Sequence, residues 1–287
     1  MTNIIQNKKE EPLEKVENNV VSKFLELEKR KEKALIAYLV GGFPDIETSK
    51  QIIETAINSG ADIVEIGIPF SDPMADGPVI QQAFSEALKH GIRPIDCLKL
   101  VESIKPRYPN TPIVIMTYSN ILYSVGLNQF LRQSKDSSVD GFIIPDLNFE
   151  EAEDFLTHSK KFQLATIFLT SPNTNSKRLR KISAISTGFV YLVSVYGITG
   201  STKRFEKYTF ESIKRTKEVT TKYGKPLAVG FGISTPSDVL KMIRAGADGV
   251  IVGSSLIKII QQYKNNKDVM LENLGLYVKQ LKKACQV

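Results

Sequence analysis

Short β-branched apolar runs alternate with amphipathic stretches along the sequence, and eight such runs within 287 residues predict a single (β/α)8 TIM barrel of the α/β class. Two further observations support this. The runs are apolar on both faces rather than alternating, as parallel strands covered by helices are. No G-x-G-x-x-G or P-loop follows any run, which argues against a doubly wound nucleotide-binding sheet.

The expected strands are Ala34 to Val40, Asp62 to Ile66, Ile113 to Thr117, Gly141 to Ile144, Gln163 to Phe168, Phe189 to Val193, Pro226 to Val229 and Gly249 to Val252. Between them, Ile52, Ile53, Ala56 and Ile57 recur at helical spacing before Gly60. Ile80, Phe84, Ala87 and Leu88 do so before His90 and Gly91, which gives His90 a place at a helix C-terminus. Val239, Leu240, Ile243 and Ala247 form a third such set. An additional helix, Val20 to Lys31, precedes the first strand, and a final one, Leu271 to Lys283, follows the eighth unit. Residues 1–19 are polar, with Lys8, Lys9, Glu10, Glu11, Glu14, Lys15 and Glu17 and almost no apolar periodicity. They read as a disordered tail, neither secretory signal nor transit peptide, before a barrel domain over residues 20–287.

Composition excludes several classes. Apolar residues at 42% and charged residues at 24% are ordinary for a globular chain, and no apolar run approaches a membrane span of ~18 residues. Lys plus Arg is 38 against 31 acidic residues, a mild excess of +7 with no nucleic-acid motif beside it. Cys97 and Cys285 show no ligand spacing, and His90 and His158 have no evident carboxylate partners, so no metal site is expected. Two thiols without a framework fit a reducing compartment.

In such a barrel the chemistry sits where strands end at their C-terminal side. Glu65 lies inside the apolar second strand and, at period two, shares a face with Ile63 and Gly67. A carboxyl buried there has a raised pKa suited to general acid/base work, unless it is a structural carboxylate paired to a lysine or backbone amide. The following loop is long and carries Pro69, Pro73, Gly77 and Pro78 with Ser71, Asp72 and Asp76. Asp76 either faces the substrate with Glu65, or joins Asp72 in capping turns and the helix that starts at Pro78.

Three glycine turns follow the last three strands: Gly197-Ile198-Thr199-Gly200, Gly230-Phe231-Gly232-Ile233-Ser234 and Gly253-Ser254-Ser255. Glycines let backbone N–H groups approach phosphate oxygens, and a helix starting at Ser254 or Ser255 offers unpaired donors. Phosphate binding is the reading; plain turn chemistry with Ser254 as N-cap is the alternative. Tyr191, in the sixth strand, either turns its hydroxyl into the barrel mouth or fills the core. Asp146, after Pro145, reads as a helix cap rather than a substrate contact.

These residues together carry a family resemblance. The stretch Ala61-Asp62-Ile63-Val64-Glu65-Ile66-Gly67-Ile68-Pro69-Phe70-Ser71-Asp72-Pro73-Met74-Ala75-Asp76-Gly77-Pro78 resembles the signature of the tryptophan synthase alpha chain family. Ala37 to Asp45 is similar to that family's first strand and loop, and the three glycine turns follow in the family's order. The resemblance covers Val20 to the C-terminus and implies retro-aldol cleavage of indole-3-glycerol phosphate to indole and glyceraldehyde 3-phosphate. Glu65 then matches the general acid/base, Asp76 the loop carboxylate facing the indole N–H, and Tyr191 a residue beside the glutamate. Gly200, Gly232, Gly253 and Ser254 match phosphate-binding positions, while Phe231, Ile80 and Thr199 match the substrate pocket.

The resemblance further implies no cofactor in this chain and a partner beta chain that holds pyridoxal phosphate. It implies an assembly of two alpha and two beta chains, with contacts at the loop around Pro73 and at Tyr118-Ser119-Asn120. The Lys and Asn content suits an AT-rich genome, bacterial or plastid, so a bacterial cytoplasm is expected, or a plastid stroma if plastid-encoded. Two positions depart from the family pattern: Tyr196 stands where a small or polar residue is expected, and Asn148 where proline is. The competing expectations are another phosphate-binding barrel enzyme and a non-catalytic subunit that only activates its partner.

Overall fold

The computed structural model describes residues 18–193, 207–230 and 232–286. Eight parallel strands close into a barrel in sequence order. They are β1 (Ala34–Val40), β2 (Ile63–Gly67), β3 (Ile113–Met116), β4 (Gly141–Ile143), β5 (Ala165–Thr170), β6 (Val190–Val193), β7 (Leu227–Gly230) and β8 (Gly249–Val252). Around them lie α1 (Asn19–Lys29), α2 (Ile46–Asn58), α3 (Pro78–Lys89), α4 (Pro94–Ile104), α5 (Ser119–Val125) and α6 (Leu127–Asp136). The second half adds α7 (Glu153–Lys161), α8 (Ser176–Ile185), α9 (Lys207–Lys222), α10 (Pro236–Arg244), α11 (Ser254–Tyr263) and α12 (Lys267–Ala284). The barrel and its parallel order are as expected from the unbroken apolar runs, since almost every strand residue is buried.

The expected boundaries shift where turn chemistry intervenes. The fifth strand begins at Ala165, not Gln163, because Gln163 takes a left-handed φ of 55° and its N–H donates to Lys160 O, closing helix α7. Helix α1 spans Asn19–Lys29 rather than Val20 to Lys31; Lys31 is left-handed at φ 57° and Glu32 N–H turns back to Leu27 O. The boundary of the expected tail moves with it. Asn18 is the N-cap of α1, accepting from Val21 N–H, and its amide donates to Thr187 O at 3.0 Å. The expectation of disorder otherwise falls on residues 1–17, outside the described residues. The last helix starts at Lys267, four residues earlier than expected, because Asn266 caps it by accepting from Val269 N–H.

The N-terminal end of the barrel is built on three aspartates that precede strands. The Asp62 carboxylate accepts from Leu35 N–H, that of Asp140 from Ile113 N–H and that of Asp248 from Leu227 N–H, each at 2.8 Å. Each aspartate's own N–H donates back to the carbonyl of the same residue. Each carboxylate also meets a lysine: Lys282 at 2.8 Å, Lys105 at 2.8 Å and Lys217 at 2.6 Å. Helix α1 covers this end, with Phe24 tilted against Phe189 at 5.7 Å and Asn19 Nδ2 donating to Asp140 at 2.7 Å. The opposite end is thereby left for the long loops.

Strand register decides which residues point inward. Tyr38 pairs with Glu65, and Gly67 with Val40 and Met116. Leu169 pairs with Tyr191, Tyr191 with Ala228 and Val193 with Gly230. Paired residues in parallel strands share a face, so Tyr38, Glu65 and Tyr191 all lie on the inner face of the barrel.

Candidate active site

Glu65 is fully buried at 0% exposure, and neither carboxyl oxygen has a hydrogen-bond partner among the described residues. The structural alternative, a carboxylate paired to lysine or amide, is therefore not what the fold presents. Burial, and after it the charge of Asp76, push the Glu65 carboxyl up to about 8. An unpartnered charge is costly in such surroundings, so Glu65 holds its proton at neutral pH.

Asp76 is brought to the same place by the loop after β2, and is 5% exposed. It does not cap α3, whose N-cap is Gly77 with no side-chain hydrogen bond. The Tyr118 hydroxyl donates to Asp76 Oδ2 at 2.6 Å and accepts from Ala75 N–H at 3.1 Å. The Phe70 ring stacks on Tyr118 at 4.9 Å. From the other side Gln81 Nε2, in the first turn of α3, donates to Asp76 O at 2.9 Å. Burial pushes the Asp76 carboxyl up to about 6, with the Tyr118 hydrogen bond acting the other way. Asp72, by contrast, is exposed, and its carboxylate accepts from the hydroxyl of its neighbour Ser71.

Two tyrosines fill the barrel mouth. Tyr191 is buried, and the charges of Glu65 and Asp76 add to burial in pushing its phenol up. A methyl group at Gly230 would collide with the Tyr191 hydroxyl. Tyr38, on β1, lies over two more glycines: a Cβ at Gly253 would sit 2.8 Å from its Cδ1, and one at Gly67 would collide with its hydroxyl. Gly253 thus has a packing reason to lack a side chain, besides any contact with phosphate.

The expected phosphate positions are partly within the described residues. Gly253 is the N-cap of α11 and Ser254 its first residue, with no side chain capping the helix. The first N–H groups of α11 are therefore available to an anion. Gly232 has a left-handed φ of 71°, a conformation that favours glycine. The loop it belongs to is fixed by Thr235 and Asp238 in a capping box and by Tyr277 Oη, which donates to Ser234 O at 2.8 Å. Thr199, Gly200 and Phe231 lie outside the described residues, as does the departure at Tyr196. Ile80 is buried on α3, near the loop that carries Asp76.

Asp146 does not cap the helix after its own strand; it reaches Ser119, the first residue of α5, whose N-cap is Tyr118. It accepts from Ser119 N–H at 2.9 Å and from the Ser119 hydroxyl at 2.7 Å. Asn148 accepts from Arg178 at 3.3 Å, beside the closer Arg178–Glu150 ion pair at 2.6 Å, so this loop is held from α8 without a proline. His90 is the C-cap of α3. No group of three or more His, Cys, Asp or Glu residues able to hold a metal occurs among the described residues. Nor is any described helix long and apolar enough to cross a membrane.

Sequence reasoning missed Tyr38 entirely and saw Tyr118 only as part of a contact loop. In Ala37-Tyr38-Leu39 the tyrosine reads as one more residue of a buried strand. A phenol among purely aliphatic neighbours was the available signal, since a buried hydroxyl needs a purpose or a partner.

Comparison with known proteins gives the family. The model of the tryptophan synthase alpha chain family matches residues 24–286. The chain is 43% identical over 264 residues to the tryptophan synthase alpha chain of Aquifex aeolicus (strain VF5), covering 92% of this chain and 97% of that one. It is 40% identical over 268 residues to that of Francisella tularensis subsp. tularensis (strain WY96-3418), covering 93% and 98%. A solved structure from Aquifex aeolicus VF5 superposes with a TM-score of 0.85 at 38% identity, covering 94% of this chain and 100% of that one. A crystal structure of tryptophan synthase from M. tuberculosis in an open form gives 0.83 at 31% identity, covering 94% and 100%. A closed eight-stranded barrel with two buried carboxyls at its mouth, matched over nearly its whole length, places this chain in the tryptophan synthase alpha chain family.

Proposed function

We propose that Glu65 and Asp76 divide the work of this family's reaction between them. That reaction is the lyase cleavage of indole-3-glycerol phosphate to indole and glyceraldehyde 3-phosphate, in tryptophan biosynthesis. It breaks the carbon–carbon bond between indole C3 and the glycerol chain. One proton leaves the adjacent glycerol hydroxyl, which becomes the aldehyde, and one proton arrives at C3. A single carboxyl that gives one proton and takes the other balances the step.

Glu65 is the group for this role. Held at about 8, it is protonated at neutral pH and can donate to C3; once ionised, it accepts the hydroxyl proton. Protonation at C3 makes the ring nitrogen electron-poor. Asp76, at about 6, is ionised at the same pH and accepts from the indole N–H. Tyr191 forms the wall beside Glu65. The N-terminus of α11 at Gly253 and Ser254, with Gly232, holds the phosphate, joined by Gly200, while Ile80, Phe231 and Thr199 border the indole. The observation that carries this reading is the fully buried Glu65 with both oxygens unpartnered.

This chain requires no cofactor of its own on this reading. Its partner is a beta chain carrying pyridoxal phosphate, in an assembly of two alpha and two beta chains. The surface supports a partner on one side of the barrel mouth: Met74, in the loop after β2, is 77% exposed, and Tyr123, on α5, is 49% exposed. The non-catalytic alternative is disfavoured by the intact pair of buried carboxyls.

Indole release from indole-3-glycerol phosphate by the purified chain tests the reading, with Glu65→Gln as control and a beta chain added in a second run. Indole from the native chain, absent in Glu65→Gln and raised by the beta chain, is the expected result. Release by Glu65→Gln at the native rate overturns the assignment of the acid/base.

A further inference from the structure

Tyr38 carries a polar atom that the reading above leaves unused. Its side chain is 5% exposed, and its hydroxyl has no hydrogen-bond partner among the described residues. Burial pushes its phenol well up, with the charges of Asp76 and Glu65 adding to the effect, so it is a donor at any working pH. A buried hydroxyl left without a partner costs free energy. Phenylalanine would fill the same space without that cost.

The position of the ring limits what the hydroxyl can serve. At its root, Tyr38 Cβ and Cδ1 pack against Gly253, the N-cap of α11. At its tip, the hydroxyl lies against Gly67, the next inward residue after Glu65 on β2. Any side chain at either glycine would displace the ring. The ring therefore runs from the proposed phosphate end to the proposed acid/base end. A substrate with its phosphate at α11 and its indole C3 at Glu65 lays the intervening glycerol chain along the same path.

We propose that the Tyr38 hydroxyl donates a hydrogen bond to a glycerol hydroxyl oxygen of the substrate, and so selects a hydroxylated linker between the phosphate and the indole. Tyr191 and Tyr118 do not occupy this place: the first lies over Gly230, and the second is committed to Asp76. The inference rests on the site assignment above, and its test separates the two.

The test is Tyr38→Phe, measured with indole-3-glycerol phosphate and with indole-3-propyl phosphate, the analogue that lacks both glycerol hydroxyls. The ring is retained and an unpartnered hydroxyl removed, so the unliganded variant melts at or above the native temperature. Expected is a loss of about three- to tenfold in kcat/KM for the glycerol substrate, the range of one neutral hydrogen bond. The Kd of the propyl analogue is unchanged, and the pH limits of kcat/KM stay where they are. Equal weakening of both compounds, or of neither, overturns the proposal. So does an alkaline limit that moves in Tyr38→Phe, which would make Glu65 the partner of the hydroxyl. Failure of the native chain to turn over the glycerol substrate, or turnover by Glu65→Gln, would instead overturn the site assignment.

Discussion

The Tyr118 hydroxyl lies between Asp76 and the backbone of its loop, donating to the carboxylate at 2.6 Å and accepting from Ala75 N–H at 3.1 Å. A residue from the end of β3 thus fixes both the place and the ionisation of a carboxylate carried by the loop after β2. Removing the hydroxyl removes the interaction that holds the Asp76 carboxyl down against burial. In Tyr118→Phe the Asp76 pKa rises above about 6, less of it is ionised at pH 7, and the acid limb of kcat/KM moves to higher pH. A loss of about tenfold at pH 7 is expected, in keeping with hydrogen bonds to charged groups of ~1.5–3 kcal/mol. A pH–rate profile measures it; an unmoved acid limb contradicts the role given to Tyr118.

The native profile itself is constrained. With Asp76 acting ionised and Glu65 protonated, as proposed, kcat/KM forms a bell with limits near 6 and near 8. Glu65→Asp shortens the acid/base and is expected to lower kcat while the acid limb, which belongs to Asp76, stays in place. A profile flat from pH 5 to pH 9 contradicts the division of roles.

Glu65 also costs stability, with a definite sign. Its folded pKa of about 8 lies above the unfolded value of ~4.3, so the native state binds the extra proton between them. Its contribution is intact below the lower value and is lost as pH rises toward the upper one. Glu65→Gln removes this dependence. Relative to native, the variant is expected to unfold at higher temperature at pH 8 and at nearly the same temperature at pH 4.5. At ~1.4 kcal/mol per pKa unit the difference at pH 8 is a few kcal/mol. Thermal unfolding at the two pH values decides it, and a gap that widens toward acid has the wrong sign.

Glycines that look alike in the sequence differ in what they tolerate. Gly230→Ala drives a methyl group into the Tyr191 ring, whereas a Cβ at Gly77 meets nothing within 4 Å. Gly230→Ala is expected to lose ~1–3 kcal/mol of stability, as overpacked cores do. Gly77→Ala replaces the residue at the N-cap of α3 without a clash and is expected to cost less, about 0.5–1 kcal/mol. Denaturant unfolding of the two variants compares them directly.

At the far end of the barrel, Lys105 and Asp140 form a buried pair at 2.8 Å, and Asp140 also holds Ile113 N–H and Asn19. Lys105→Met leaves that carboxylate without its counter-charge and is expected to cost ~3–5 kcal/mol. KM in the surviving folded protein is unchanged, because the pair sits at the end of the strands opposite to Glu65 and Asp76. A raised KM with unchanged stability contradicts this placement.

The barrel follows from local pattern alone. Strands buried on both faces must be apolar throughout, so eight such runs are legible without knowing any contact. Glu65 was legible for the same reason, as a charge inside one of those runs, and Asp76 through the unusual loop that follows. Ends that depend on a turn were less so: Gln163, in a left-handed turn, reads as strand because nothing in its type forbids one. Tertiary structure alone decided which groups meet. Whether Asp76 caps a helix or joins Glu65 depends on Tyr118, 42 residues away in sequence. That Tyr38 lies over Gly67 and Gly253 depends on the register of β1 with β2 and on β8 closing against β1. Local patterns report each residue's own burial and periodicity. Pairings across a closed sheet are set by register, which belongs to two strands at once and is written in neither.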